Sequence, residues 1–179
     1  LGFDDVLEVA IGADICADKE AKEFEERMER GDVLMTTSCC SAYVRAVNIH
    51  VPALKPCVSE TRSPMHYTAE IAKQKDADCV TVFIGPCLAK RREGFDDDAV
   101  DYVLSVEELR AFFIAKDIDI ASLPAKLPEH VPTATGRGFA KTGGVAEAVR
   151  VRLKDQSILK AAKINGLDRA GMKKLATYG

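Results

Sequence analysis

The stretch CVTVFIG, residues 79–85, is apolar or β-branched throughout and stops at Pro86-Cys87, which makes it a strand buried on both faces. Such a strand needs covering layers, and the segments on either side supply them. SPMHYTAEIAKQK (63–75) reads as a helix with Pro64 in its first turn, where a missing N–H costs nothing. After an acidic GFDDDA loop, VDYVLS reads as another strand, and SVEE (105–108) is a capping box opening a helix to about Ala115. Upstream, VLEVAIG (6–12) reads as a strand and ADKEAKEFEERMER (17–30) as a helix ended by Gly31-Asp32. VLMTTS then reads as a strand, and SAYVRAVNIHV as a helix stopped at Pro52. Downstream, IDIASLPAKLPEHVPTATGRG is a long loop with three prolines and two glycines. GVAEAVRVRLKD follows as a helix, then a short strand at Ile164-Asn165 and a last helix. Strands and helices alternate, which predicts an α/β layered sandwich with a mostly parallel sheet flanked by helices, its sites at the carboxyl ends of strands.

The 179 residues, 47% hydrophobic and 30% charged, suit one globular domain. A net charge of −3 with interleaved signs gives no nucleic-acid footprint. The longest apolar runs fall far short of the ~20 residues of a membrane span, and no signal-peptide pattern opens the chain. The expectation is a cytoplasmic protein without membrane insertion. Both ends look abrupt, as in a piece of a longer protein.

Six cysteines without secretory features read as core thiols, redox groups or metal ligands rather than a disulfide framework. TTSCC closes one expected strand and GPCLAKRRE (85–93) another, so Cys39, Cys40 and Cys87 can converge on one crevice, where soft thiolates suit iron-sulfur or zinc binding. Plain packing of buried thiols is the alternative. Adjacent side chains on an extended segment point opposite ways, so Cys39 and Cys40 need different jobs. Glu20, Glu23 and Arg27 share one helix face, either a solvated charged surface or a proton path. Lys90 after Cys87 can hold an anion as a point charge. GRGFAKTGG offers backbone N–H groups at a helix start, or simply a tight entry to it. The three histidines are scattered, which disfavours a zinc hydrolase.

TSCCSAY together with GPCLAKRRE resembles the first two signature motifs of the iron-only (FeFe) hydrogenase H-cluster domain, written TSCCPxW and PCxxKxxE. SETRSPM and FAKTGGVAEAV resemble further family segments, so the likeness runs along residues 1–179 and implies the family's two-lobed domain. It implies an H-cluster, a 4Fe-4S cubane joined through a cysteine sulfur to a two-iron unit, with Cys40 and Cys87 as cubane ligands. It makes Cys39 the thiol that moves protons, followed by Glu20, Ser59, Glu23 and Arg27. It sets Lys90 and Ser63 beside the cyanides of the two-iron unit, and Phe139 against that unit. Met65 and Gly85 stand where the family has glutamine and methionine beside it. Ser41, Tyr43 and Ala140 replace proline, tryptophan and glycine.

The implied activity of the full-length protein is reversible conversion of protons and electrons to H2, with ferredoxin or fused ferredoxin-like clusters as the electron-transfer partner. The family's third motif, Cys-x-x-x-Cys before glycines, is not in this sequence. The expectation is therefore a piece truncated at both ends, with two of four cubane ligands, inactive and apo by itself. Two alternatives stand beside it: an H2- or redox-sensing relative with little turnover, and a cluster-free α/β interaction domain.

Overall fold

The computed structural model describes residues 1–126 and 128–179. Its longest element is helix α1, Ala10–Glu29, with α2 at Ser41–His50 and α3 at Pro64–Lys75. Strand β1, Val82–Gly85, leads through α4, Ala89–Phe95, to strand β2, Tyr102–Ser105. Helices α5 (Val106–Ala115), α6 (Ala134–Gly138), α7 (Gly144–Arg150) and α8 (Arg169–Ala176) complete the order. The fold is mixed α/β: β1 and β2 pair in parallel, Val82 opposite Tyr102 through Gly85 opposite Ser105, with helices flanking the pair. A parallel pair needs a crossover connection, and α4 provides it.

Several expected boundaries hold for the reasons anticipated. Pro64 sits in the first turn of α3. At Ser105 both halves of the capping box form, Glu108 N–H to Ser105 Oγ at 3.1 Å and Ser105 N–H to Glu108 Oε2 at 2.7 Å.

Others change. Residues 6–12 are not a strand: α1 begins at Ala10 and takes in Ile11 and Gly12. The reason is tertiary, since Gly12 lies so close to α3 that a Cβ there would stand 2.2 Å from the Pro64 carbonyl oxygen. A short apolar run does not distinguish strand from helix, and this contact decides. The VLMTTS segment forms a single parallel bridge, Thr36 to Val58, with Thr36 N–H to Cys57 O at 2.8 Å and Ser59 N–H to Thr36 O at 2.7 Å. Residues 164–165 form no strand, and α7 stops at Arg150, short of the expected 155. The long loop over 118–138 holds a 3-10 turn, Ile120–Ser122, and ends in α6; its residue 127 lies outside the described ones.

Four apolar clusters hold these elements together. One joins α1 to α3, α6 and α7 through Ala13, Cys16, Ala17, Tyr67, Phe139 and Ala148. Small residues on α1 let its neighbours approach closely. A second, Met65, Ala69 and Val100, packs α3 beneath Phe83 of β1. Among the described residues no helix is long and apolar enough to cross a membrane.

Candidate functional site

The single Thr36–Val58 bridge lays the TTSCC segment alongside residues 57–61, against the face of α1 that carries Glu20, Glu23 and Arg27. Glu20 is fully buried, at 0% exposure. Its Oε1 accepts the Ser38 N–H at 3.2 Å, while Oε2 has no hydrogen-bond partner. Burial pushes this carboxyl up to about 7, against the pull of the Ser38 N–H. A buried acid lacking one partner and titrating near neutrality is suited to holding and releasing a proton.

Glu23 lies one turn on and is the best-satisfied carboxylate of the site. Its Oε2 accepts Ser59 Oγ–H at 2.6 Å and Thr61 Oγ1–H at 3.2 Å, and its Oε1 accepts the Glu60 N–H at 3.1 Å. Arg27 Nη2 stands 2.7 Å from Oε1. Burial raises this carboxyl, but the bonds from Ser59, Glu60 and Arg27 outweigh it and hold Glu23 below the ordinary carboxylate range. Arg27 also donates to the carbonyls of Pro56 (3.0 Å) and Val58 (2.9 Å). Its side chain is 6% exposed against 18% for Glu23, so the carboxylate is the more accessible of the two.

Cys39 is half-buried and packs against the Cys16–Phe139 cluster. Burial, then the Glu20 charge, pushes its thiol up to about 12, so it stays protonated at neutral pH. The Cys39 carbonyl accepts from Lys90 Nζ at 3.3 Å, and Lys90 pairs with Glu93 at 2.7 Å. Ser63 Oγ donates to the other oxygen of Glu93. One carboxylate thus orients both Lys90 and Ser63. Phe139 is buried in the same cluster that Cys39 touches.

Cys40 and Cys87 are exposed free thiols. Cys40 is the N-cap residue of α2, and Cys87 lies between β1 and α4. Met65 and Gly85 fall in a different place. Met65 is packed under β1, and the Phe83 ring lies over Gly85, where a Cβ would meet it at 2.7 Å. The structure therefore brings Cys39, Glu20, Ser59, Glu23, Arg27, Lys90, Ser63 and Phe139 around the segments 36–40 and 57–63, and seats Met65 in the core behind them.

Cys40 and Cys87 are free and accessible. Soft thiolates of this kind are the donors an iron-sulfur group takes. A cubane takes four thiolates. Among the described residues no three His, Cys, Asp or Glu side chains gather as a metal site. The sequence reading missed Ser38 and Thr61. Both stood inside quoted segments, TTSCC and SETRSPM, but nothing in either segment singled out their hydrogen bonds.

The chain belongs to the family described as iron only hydrogenase large subunit, C-terminal domain, whose model matches residues 1–177. Iron hydrogenase 1 of Clostridium pasteurianum is 31% identical to it, over 87% of this chain and 30% of that protein. The periplasmic Fe hydrogenase large subunit of Nitratidesulfovibrio vulgaris is also 31% identical, over 83% of this chain and 40% of that one. Apo FeFe-hydrogenase HydA1 of Chlamydomonas reinhardtii, in a variant form, superposes with a TM-score of 0.69 at 29% identity. That match covers 93% of this chain and 49% of the solved one. The chain thus spans well under half the length of these curated relatives.

Proposed function

We propose that residues 1–179 form one wall of an H-cluster domain, in a protein that interconverts protons, electrons and H2 with a ferredoxin-type electron partner in the cytoplasm. Cys40 and Cys87 would supply two thiolates to the cubane, and Lys90 and Ser63 would face the two-iron unit. When bound, that group supplies the electrons and the site where H2 is made or split. The residues of this chain handle the proton. The observation that supports the reading is the buried Glu20, with one oxygen unpartnered, on the same helix face as Glu23, which accepts the hydroxyl of the buried Ser59.

The Cys39 thiol, protonated at rest, hands its proton toward Glu20. Glu20, whose Oε2 has no hydrogen-bond partner, receives it. Ser59 relays to Glu23. Arg27 is committed to Glu23 and to the carbonyls of Pro56 and Val58. Its part is to hold Glu23 ionised and in place, and Glu23, the more exposed of the pair, opens to solvent.

The test uses the full-length protein matured with its two-iron unit. Robust H2 evolution that Cys39→Ala or Glu20→Gln lowers by more than about 100-fold supports the relay. A second reading, an H2 sensor with little turnover, is favoured by the Phe83 ring over Gly85 and the inward packing of Met65. It is supported if the cluster assembles and responds to H2 while turnover stays negligible. Failure of the full-length protein to take up iron overturns both and leaves a cluster-free interaction domain.

A further inference from the structure

Thr61 lies between the two carboxylates of the path, and all three of its polar groups are committed to it. Its N–H donates to Ser59 Oγ at 3.1 Å, its hydroxyl to Glu23 Oε2 at 3.2 Å, and its carbonyl accepts the Ser38 hydroxyl. Ser38 in turn donates its N–H to Glu20 Oε1 at 3.2 Å. One residue to which the resemblance assigns no role thus touches the outer carboxylate and the relay hydroxyl directly, and the inner carboxylate through Ser38.

The consequence is directional. A serine hydroxyl has one proton and two lone pairs. At Ser59 the Thr61 N–H takes one lone pair, and the proton is aimed at Glu23 at 2.6 Å. One lone pair remains to accept a proton from the Glu20 side. We infer that Thr61 is the positioning residue of the path: its hydroxyl fixes Glu23 Oε2 where the Ser59 hydroxyl donates to it, and its N–H leaves Ser59 one lone pair for an incoming proton. In each transfer Ser59 gives its O–H proton to Glu23 and takes one from the inner side, so a single proton moves and no electrons do. The β-branched side chain restricts the Thr61 rotamer and keeps its own hydroxyl on Glu23.

The inference rests on the proton-path reading above. The groups facing Glu23 are Arg27 and Glu20 from α1, and the Glu60 N–H with the Ser59 and Thr61 hydroxyls from the opposite segment. Removing the Thr61 hydroxyl takes away one donor that stabilises the charged form, so Glu23 moves up toward the ordinary carboxylate range.

The experiment compares Thr61→Val and Thr61→Ser in the full-length protein. It reads the Glu23 carboxyl band by infrared titration of the unmatured protein, and the pH profile of H2 evolution after maturation. Thr61→Val is expected to move the Glu23 titration and the acid limb of the profile upward and to slow proton-limited turnover about tenfold. Thr61→Ser, which keeps the hydroxyl, is expected to stay within about twofold of the parent. Thr61→Ala provides a second hydroxyl-free variant if the valine form does not fold. Hydroxyl-free variants that match the parent in rate and in both titrations overturn the inference. If Glu20→Gln and Cys39→Ala abolish turnover while Thr61→Val leaves it intact, Thr61 alone is excluded. If those two also leave turnover intact, the proton path itself falls.

Discussion

Glu20 shows how a single side chain carries both a cost and a use. Its carboxyl has lost all solvent contact, and burial lifts it to about 7. A carboxyl raised in the folded state binds its proton where the unfolded chain has already lost one. Its contribution is therefore most favourable below the unfolded value, declines as pH rises toward about 7, and above that the full cost of a buried charge stands. Glu20→Gln is expected to flatten this dependence between about pH 4.5 and 7, an effect of up to about 3 kcal/mol. Urea midpoints of parent and variant at pH 5 and pH 8 read it directly; a parent whose stability does not fall between them contradicts the burial argument. Glu23, three residues on, has the opposite sign, because its donors outweigh its burial and its contribution is lost only under acid conditions. The same helix face thus holds one acid that readily keeps its proton and one that readily gives it up.

At the scale of elements, contacts between segments settle what local pattern leaves open. Helix α1 starts where an apolar run suggests a strand, because Ala10–Ala13 pack between α3 and the α6 turn. Gly12 is the tightest point: a Cβ would meet the Pro64 oxygen at 2.2 Å and Thr68 Oγ1 at 2.4 Å. Gly12→Ala gains helix propensity yet forces α1 and α3 apart, and overpacking of this kind costs about 1–3 kcal/mol. A thermal melt of the variant should show a clear net loss, whereas an unchanged or raised midpoint would mean that the helices have room. The Thr36–Val58 bridge works similarly for the site. One pair of backbone bonds replaces a whole expected strand and is enough to register Cys39 against Glu20 and Ser59 against Glu23.

For the whole molecule, two parallel strands leave both outer sheet edges unpaired among the described residues, and Phe95, Tyr102 and Ile114 are largely exposed nearby. Under the proposed function, residues 1–179 by themselves are expected to take up no stoichiometric 4Fe-4S cluster on anaerobic reconstitution with iron and sulfide, because that reading assigns two of four thiolates, Cys40 and Cys87, to this chain. Iron counting against a full-length control checks this, and four irons per chain would mean that other thiols move in. Much of the architecture was legible in the residues: the Pro64 helix start, the Ser105 capping box, the two parallel strands and the motifs around Cys39, Cys40 and Cys87 are local or short-range signals. The one-face alignment of Glu20, Glu23 and Arg27 was also readable, because helical spacing alone dictates it. Whether that face met solvent or a buried partner was not, since burial depends on what packs against it. The sequence by itself determined that Glu20, Glu23 and Arg27 share one helix face and that Cys39 and Cys40 sit in a motif resembling the family's, because helical spacing and short motifs are local. Only the tertiary structure decided that Glu20 is sealed from water with one oxygen partnerless, that Arg27 reaches the Pro56 and Val58 carbonyls, and that Thr61 joins the two carboxylates. Those properties arise from residues 18 to 38 positions apart meeting in space, which no local pattern encodes.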